Sequence, residues 1–299
     1  MDGYNIMDSS EIKPLDTQSF PIKKHWIEAA LREVRSNPSI FSKSNLSEFR
    51  KKFLAGANQN TAAKNWLLRS ELIEGAGKNI KLSDLGECIF REDPHVNSAL
   101  SWWLFHIHLC VNTAFPYSSL FLSFDVDGNW MLINEVKESL LLEAKQLGLD
   151  LADKTINTYF SGVDASFRPG QMLYLLALIE RRKSKQEGSS TWMIRRTNVK
   201  PNRELIVYTA LLLHRRYFRG QSTVGTPDLL KRGFGKMLGM RDTDLRDQLS
   251  EMRYDKKCSS MIEYTRKQDL DNIHFRVQGS SPLQNLREYC YKTGAIKWK

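Results

Sequence analysis

One short stretch carries the side chains and the spacing to hold a metal ion. His106, His108 and Cys110 alternate along the chain, and on a β-strand they would share a face and could ligate zinc. Their surroundings, SALSWWLFHIHLCVNTAF, read instead as a buried helix, on which residues two apart diverge. The histidines are then expected to be hydrogen-bonded core groups, and no metal is expected. Asp125 with Asp127, or Asp242 with Asp244, have the chemistry to hold magnesium in a nuclease, but turn and cap roles account for them more simply. Gly75-Ala-Gly-Lys lacks the spacing of a phosphate-cradling loop, and Gly233-Phe-Gly-Lys sits in a helical context rather than after a strand. No GxSxG motif occurs. No catalytic residue and no cofactor is assigned.

Charge is the stronger signal. With 44 Lys and Arg against 34 Asp and Glu in 299 residues, the chain carries a net charge of +10, which favours nucleic acid, anionic membrane or acidic protein partners. The excess crowds from Arg195 to Arg241 and continues through Arg246, Arg253, Lys256, Lys257, Arg266 and Lys267. Asp244, Asp247 and Glu251 interleave with it, and i,i+4 pairing on a solvated helix is the ordinary use of that pattern.

These residues need helices and turns to aim them. Asn60 to Gly75, NTAAKNWLLRSELIEG, reads as the second helix of a helix-turn-helix: Asn60 or Thr61 caps it, Ala62, Ala63, Trp66, Leu67 and Ile73 face inward, and Gly75 ends it. Lys64, Asn65, Arg69 and Ser70 fall on the other face. Leu46, Phe49 and Phe53 mark a helix upstream, broken from the next by Gly56. Downstream come a Gly75–Asn79 turn carrying Lys78, a short strand at Ile80 and Leu82, and a helix capped by Ser83. That order is a winged-helix grammar. It recurs near the end of the chain, where Thr226 caps a short helix with Pro227 at its first position. A second helix carrying Leu245, Leu249 and Met252 follows Asp242 or Thr243, and strand-like Met261–Thr265 and Ile273–Val277 make a wing.

The fold class expected is therefore mainly α, with winged-helix-like domains at both ends of a helical connector and small β-hairpin wings. The boundaries expected are a flexible arm over 1–20, an N-terminal domain over 21–92, a connector over 93–190 and a C-terminal domain over 191–299. Within the connector, Tyr117 to Trp130 reads as irregular, Met172–Ile179 as helix and Arg181–Ser190 as a charged loop. A closing helix is expected over Leu283–Tyr291. The apolar stretch is too short and too polar for a membrane span. The opening, Met1 to Ser19, is polar with no apolar core, which makes the cytoplasm the default. Cys88, Cys110, Cys258 and Cys290 are far apart and read as reduced thiols.

The FPIKKHW opening at Phe20 to Trp26, Gly56 and Asn58 ahead of the helix bearing Trp66, Leu72-Ile73, Leu85-Gly86 with Phe90, Asp93-Pro94 and WLFH at Trp103 to His106 together resemble a known set. It is that of a bacterial family catalogued as a domain of unknown function, number four thousand and seven. Where that family usually shows Leu-Gly-x-Gly-Lys-Asn, this chain has Leu54-Ala55-Gly56-Ala57-Asn58 and lacks the lysine. The resemblance implies a role beside sulfurtransferase, DNA phosphorothioation or phage-defence genes, with no established catalytic residues to carry over. The function expected is a non-catalytic protein bound to double-stranded DNA. Arg69, Arg246 and Arg253 would lie near base edges, and Lys64, Lys78, Lys256, Lys257, Arg266 and Lys267 on phosphates. The alternatives are an adaptor docking a sulfurtransferase or ATPase subunit, and a metal-dependent nuclease.

Overall fold

A computed structural model describes residues 12–184, 192–268, 270–276 and 282–287. The chain is mainly helical with small sheets, as its patterning predicts. A two-residue strand, β1 (Lys13–Pro14), leads to α1 (Lys24–Glu33), α2 (Leu46–Phe53) and α3 (Ala57–Arg69). The hairpin β2 (Ile73–Ala76) and β3 (Asn79–Leu82) and then α4 (Asp84–Glu92) follow. Apolar residues at helical spacing turn inward, with Trp26, Phe49, Phe53 and Trp66 fully buried and Phe49 stacked on Phe53 at 4.5 Å. Helix α3 starts and ends earlier than its sequence pattern predicts. Its start is held by the Gln59 side-chain oxygen, which accepts from Gly56 N at 2.9 Å. Its end is closed by Glu71 at φ 57, with Leu72 N donating to Leu67 O at 3.0 Å, a left-handed cap that usually takes glycine. Gly75 instead sits in β2 at φ 101, where a Cβ would collide with the Asn79 carbonyl. Ser83 caps α4 as expected, accepting from Gly86 N at 3.0 Å.

Residues 1–11 of the expected arm lie outside the described residues, and the rest of it is built into the core. Strand β1 pairs in parallel with a later strand through Lys13↔Ala114 and Pro14↔Phe115. Leu15 and Thr17 are fully buried, and the Thr17 hydroxyl donates to Tyr159 O at 2.9 Å. Local composition hides this, because the partners lie about a hundred residues or more away.

The middle of the chain runs through α5 (Ala99–Val111), β4 (Ala114–Phe115), α6 (Tyr117–Leu122), β5 (Met131–Leu132), α7 (Ile133–Gln146), α8 (Asp153–Ser166), β6 (Ile179–Lys183) and β7 (Trp192–Arg196). All thirteen residues of α5 are buried. His106 and His108 are hydrogen-bonded there, the core role expected of them: the His106 ring bonds Tyr117 Oη and Met237 O, both at 2.7 Å. A carbonyl can only accept, so Nε2 carries the proton and Nδ1 accepts from the tyrosine. Burial pulls the His106 pKa down to about 3. Three readings are corrected. Tyr117–Leu122 is helical, its six residues all buried. Met172–Ile179 forms only one helical turn, Leu173–Leu176, ended by Ala177 at φ 54. Arg181–Lys183 continues a strand paired with β7 from Ile179↔Arg196 to Lys183↔Trp192, so the boundary expected at 190 falls inside a hairpin. Residues 185–190 of the expected loop lie outside the described residues.

Arg196 anchors this hairpin from within. It is 4% exposed, and its guanidinium donates to the carbonyls of Phe121, Phe124 and Lys236. The last unit comprises α9 (Arg203–Tyr217), β8 (Thr223–Gly225), α10 (Thr226–Lys231), α11 (Phe234–Met237), α12 (Asp242–Met252), α13 (Lys256–Ser259), β9 (Ile262–Lys267), β10 (Leu270–Phe275) and α14 (Pro282–Leu286). The hairpin expected there is β9 paired antiparallel with β10 from Phe275↔Ile262 to Leu270↔Lys267. Strand β8 adds a third strand beside β10. Val277, Cys290 and the expected end of the closing helix at Tyr291 lie outside the described residues.

Two outcomes follow from this packing. A Cβ on Gly162 would stand 2.6 Å from Thr17 Cβ and 2.7 Å from Phe20 O, so Gly162→Ala should destabilise the protein by roughly 1–3 kcal/mol, read by urea unfolding. His106 is neutral when folded and titrates near its ordinary value when unfolded. Its contribution is therefore complete above about pH 6.5 and lost as pH falls toward 3. Between pH 6.5 and 5.5 this amounts to roughly 1 kcal/mol of stability, and the difference should vanish in His106→Gln; an unchanged slope in that variant would refute the assignment.

Candidate nucleic-acid interface

The outer face of α3 is occupied by the chain itself. Asn65 Nδ2 donates to Asp16 O at 3.1 Å and Arg69 Nε donates to Pro14 O at 3.0 Å. Ser70 is fully buried, its hydroxyl turned back to Leu67 O. From the next turn Trp66 Nε1 donates to Phe20 O at 3.1 Å. Two of the side chains expected to enter a groove, Asn65 and Arg69, thus join Trp66 in clamping residues 14–20. Arg69 lines a cleft rather than projecting outward, and burial lowers its pKa. Lys64 is half-buried, while Lys78 is exposed between β2 and β3.

Helix α12 has a different obstacle. Leu245, Leu249 and Met252 are buried, which leaves Asp242, Thr243, Asp247 and Glu251 exposed. That outward face is acidic, and an acidic helix is repelled by phosphate. The basic residues of the helix face the protein's own carboxylates. Arg246 Nε meets Asp271 Oδ2 of β10 at 2.8 Å, both side chains about four-fifths covered, and Tyr264 Oη donates to the other oxygen at 2.8 Å. Burial alone would raise the Asp271 pKa, but these two donors hold it below the ordinary value. Arg246 is therefore placed to hold the β9–β10 hairpin.

The remaining predicted contacts are exposed. Arg253 stacks over the Tyr254 ring at 4.5 Å. Lys256 and Lys257 open α13, where Asp255 accepts from Lys257 N at 2.9 Å. Arg266 and Lys267 end β9. The structure does not gather all of them at one point: the α13 lysines and the β9 pair lie at opposite ends of that strand.

A further basic and aromatic surface escaped the sequence reading. On the outer face of the β6–β7 hairpin, the Trp130 ring is covered by Arg182 at 4.2 Å and Arg195 at 5.1 Å. At its edge Trp192 is 41% exposed. Guanidinium and indole planes of this kind stack on one another and on bases. The signal was the alternation in IERRK and WMIRR, legible only once the two segments are known to pair. Among the described residues no three His, Cys, Asp or Glu side chains come together to hold a metal ion. Asp125 pairs with Lys236 at 3.1 Å and Asp244 with Arg241 at 2.8 Å. Removing Arg246 should act on stability before binding: Arg246→Ala takes from Asp271 its cationic partner and is expected to lose about 1–2 kcal/mol, less when Asp271→Asn is also present, as a double-mutant cycle in urea would read.

Comparison with known proteins adds a family and a fold. The chain is similar to two solved structures, "Magnesium ion-bound SspB crystal structure" and "SspB crystal structure". Each has a TM-score of 0.68 at 14% identity and covers 94% of both chains, an identity at which the likeness speaks for the fold alone. No curated protein matches. Residues 16–290 match the family described as "Protein of unknown function (DUF4007)", and to that family the chain belongs.

Proposed function

We propose that this is a non-catalytic DNA-binding accessory protein of a bacterial DNA-modification, phosphorothioation-type, or phage-defence system, holding duplex DNA through its phosphates. The observation that carries this reading is the sorting of the basic side chains. Of the three expected at base edges, Arg69 and Arg246 are engaged by the protein's own groups and Arg253 is exposed beside Tyr254. Of those expected on phosphates, Lys64 is half-buried and Lys78, Lys256, Lys257, Arg266 and Lys267 are exposed. In this reading the two helix-and-hairpin units are winged-helix-like and their hairpins, rather than their second helices, approach the duplex. Phosphate contacts position a protein without reading sequence, so binding should be weakly sequence-dependent.

The SspB neighbour was crystallised with magnesium, which bears on the nuclease alternative. The donor sets here fit that ion poorly: Asp125 and Asp244 are each engaged by a cation, and among the described residues no third ligand joins either pair. No step is therefore assigned to a metal. A second reading, an adaptor for a sulfurtransferase or ATPase subunit, is favoured by the acidic outer face of α12, which suits a basic protein surface better than DNA.

Duplex binding across a salt series separates the two. The DNA reading expects the logarithm of affinity to fall linearly with the logarithm of salt. Reversing Arg266 and Lys267 to glutamate should reduce that slope by about 2 and weaken all sequences alike. An adaptor would bind neither ordinary nor phosphorothioated duplex at low salt until its partner is added, and Asp247→Lys with Glu251→Lys would then abolish the joint complex.

A further inference from the structure

Between α3, the β2–β3 hairpin, α5 and α9 lies a cleft of about 710 Å³, within the range of small-ligand sites. Its polar side is strongly cationic. Lys13 Nζ and Arg216 Nη2 both approach Asn112 Oδ1, at 3.1 and 3.4 Å, and Asn112 Nδ2 donates to the carbonyl of Arg69 at 2.9 Å. Two cationic groups, those of Lys13 and Arg216, are thus drawn to one amide, which also holds the Arg69 backbone. Arg69 is fixed by its Nε, and among the described residues no other acceptor meets its guanidinium. Arg215 is exposed at the rim.

The carboxylate bonded to these cations, Glu71, is held at an expense of backbone strain. Glu71 adopts φ 57 at the end of α3, a conformation that disfavours side chains other than glycine. Its carboxylate accepts from His108 Nδ1 at 2.7 Å and from Arg216 Nη1 at 3.4 Å. His108 Nε2 in turn meets Tyr208 Oη at 2.6 Å. Burial opposes ionisation of Glu71, but His108, Arg216 and Lys13 together hold its pKa below the ordinary value. Glu74 also lines the cleft, with its charge already met by Lys81 at 2.8 Å; Asp84 stands in the first turn of α4, where a helix stabilises negative charge. Lys13, Arg69, Arg215 and Arg216 thus stand around the cleft against Glu71, Glu74 and Asp84, a narrow excess of positive charge in a partly desolvated space. Leu68, Leu85, Leu212 and Leu283 also line the cleft and give it an apolar side.

We propose that this cleft binds a phosphate monoester, with Arg69 and Arg216 gripping the phosphoryl oxygens and the leucine wall receiving the rest of the molecule. A planar guanidinium fork matches phosphate oxygens two at a time, and a dianion suits the local excess of positive charge. The size of the cleft fits a mononucleotide or the phosphorylated end of a nucleic-acid strand. The cleft borders the β2–β3 hairpin through Ile73, Glu74 and Gly75 but does not include Lys78, and the inference does not depend on duplex binding.

Titration calorimetry on the full chain tests this with four probes: inorganic phosphate, a mononucleotide mixture, a short 5′-phosphorylated oligodeoxynucleotide and its unphosphorylated twin. Saturable binding of phosphorylated probes is expected, weakened roughly tenfold or more in Arg69→Ala and in Arg216→Ala. Arg215→Ala, a change at the exposed rim that leaves packing intact, should weaken it a few-fold and so guards against misfolding of the other variants. Preference for the phosphorylated oligonucleotide over the mononucleotides would assign the strand end as ligand, and the reverse would assign the free nucleotide. Either outcome with Arg69 dependence supports the site. No saturable binding to any phosphorylated probe, equal binding of the two oligonucleotides, or binding indifferent to all three substitutions would overturn it, whatever the duplex measurement gives.

Discussion

The fold depends on burying α5 on every side. A helix so enclosed could be purely apolar, yet this one carries two imidazoles whose ring nitrogens would each be expensive to leave without a partner. The partners come from distant parts of the chain. His106 is satisfied by Tyr117 of α6 and by the Met237 carbonyl of α11. His108 is satisfied by Glu71, just beyond α3, and by Tyr208 of α9. Hydrophobic burial brings these elements together, but it is tolerant of sliding and rotation. The four ring bonds are directional, so they set the register of both end units against the central helix.

The same demand explains why α3 does not present a bare polar face. Once Glu71 is required at His108, the end of α3 is fixed beside α5, and β1 fits between α3 and β4. The peptide groups of residues 14–20 then need donors, which Asn65, Trp66 and Arg69 provide. Polar residues on a helix facing away from its own core are usually read as solvent-facing. Here they face backbone, and the polarity serves the segment laid against the helix.

Much of the plan was legible because it rests on local signals. Ser83 before Asp84 marks a helix start, Leu245, Leu249 and Met252 mark one helix face, and the Met261–Thr265 and Ile273–Val277 pattern marks a hairpin. What was not legible depends on pairing across long separations. The sequence of residues 12–20 looks unstructured because its partners are Ala114, Phe115 and Tyr159. Tyr117–Leu122 lacks caps and looks irregular, but complete burial stabilises a short helix that propensity would not. Arg181–Lys183 reads as a charged loop until Ile194 and Trp192 are placed opposite it. For the site, the exposed lysines and arginines were found by charge alone, whereas the roles of Arg69 and Arg246 turned on acceptors, Pro14 O and Asp271, that lie 55 and 25 residues away.

Net charge therefore has to be divided before it is interpreted. A total of +10 creates an attraction that any polyanion feels at a distance, but contact is decided by which cations retain access after the carboxylates have taken theirs. Along α12 the one arginine, Arg246, is taken up by Asp271, and the charged residues left facing water are acidic. At the hairpin ends the opposite holds, and within the cleft Lys13, Arg69, Arg215 and Arg216 stand against Glu71, Glu74 and Asp84, with Arg69 incompletely bonded. Long-range steering and short-range grip are thus carried by different residues, and a substitution that leaves the net charge unchanged can still move the grip from one surface to another.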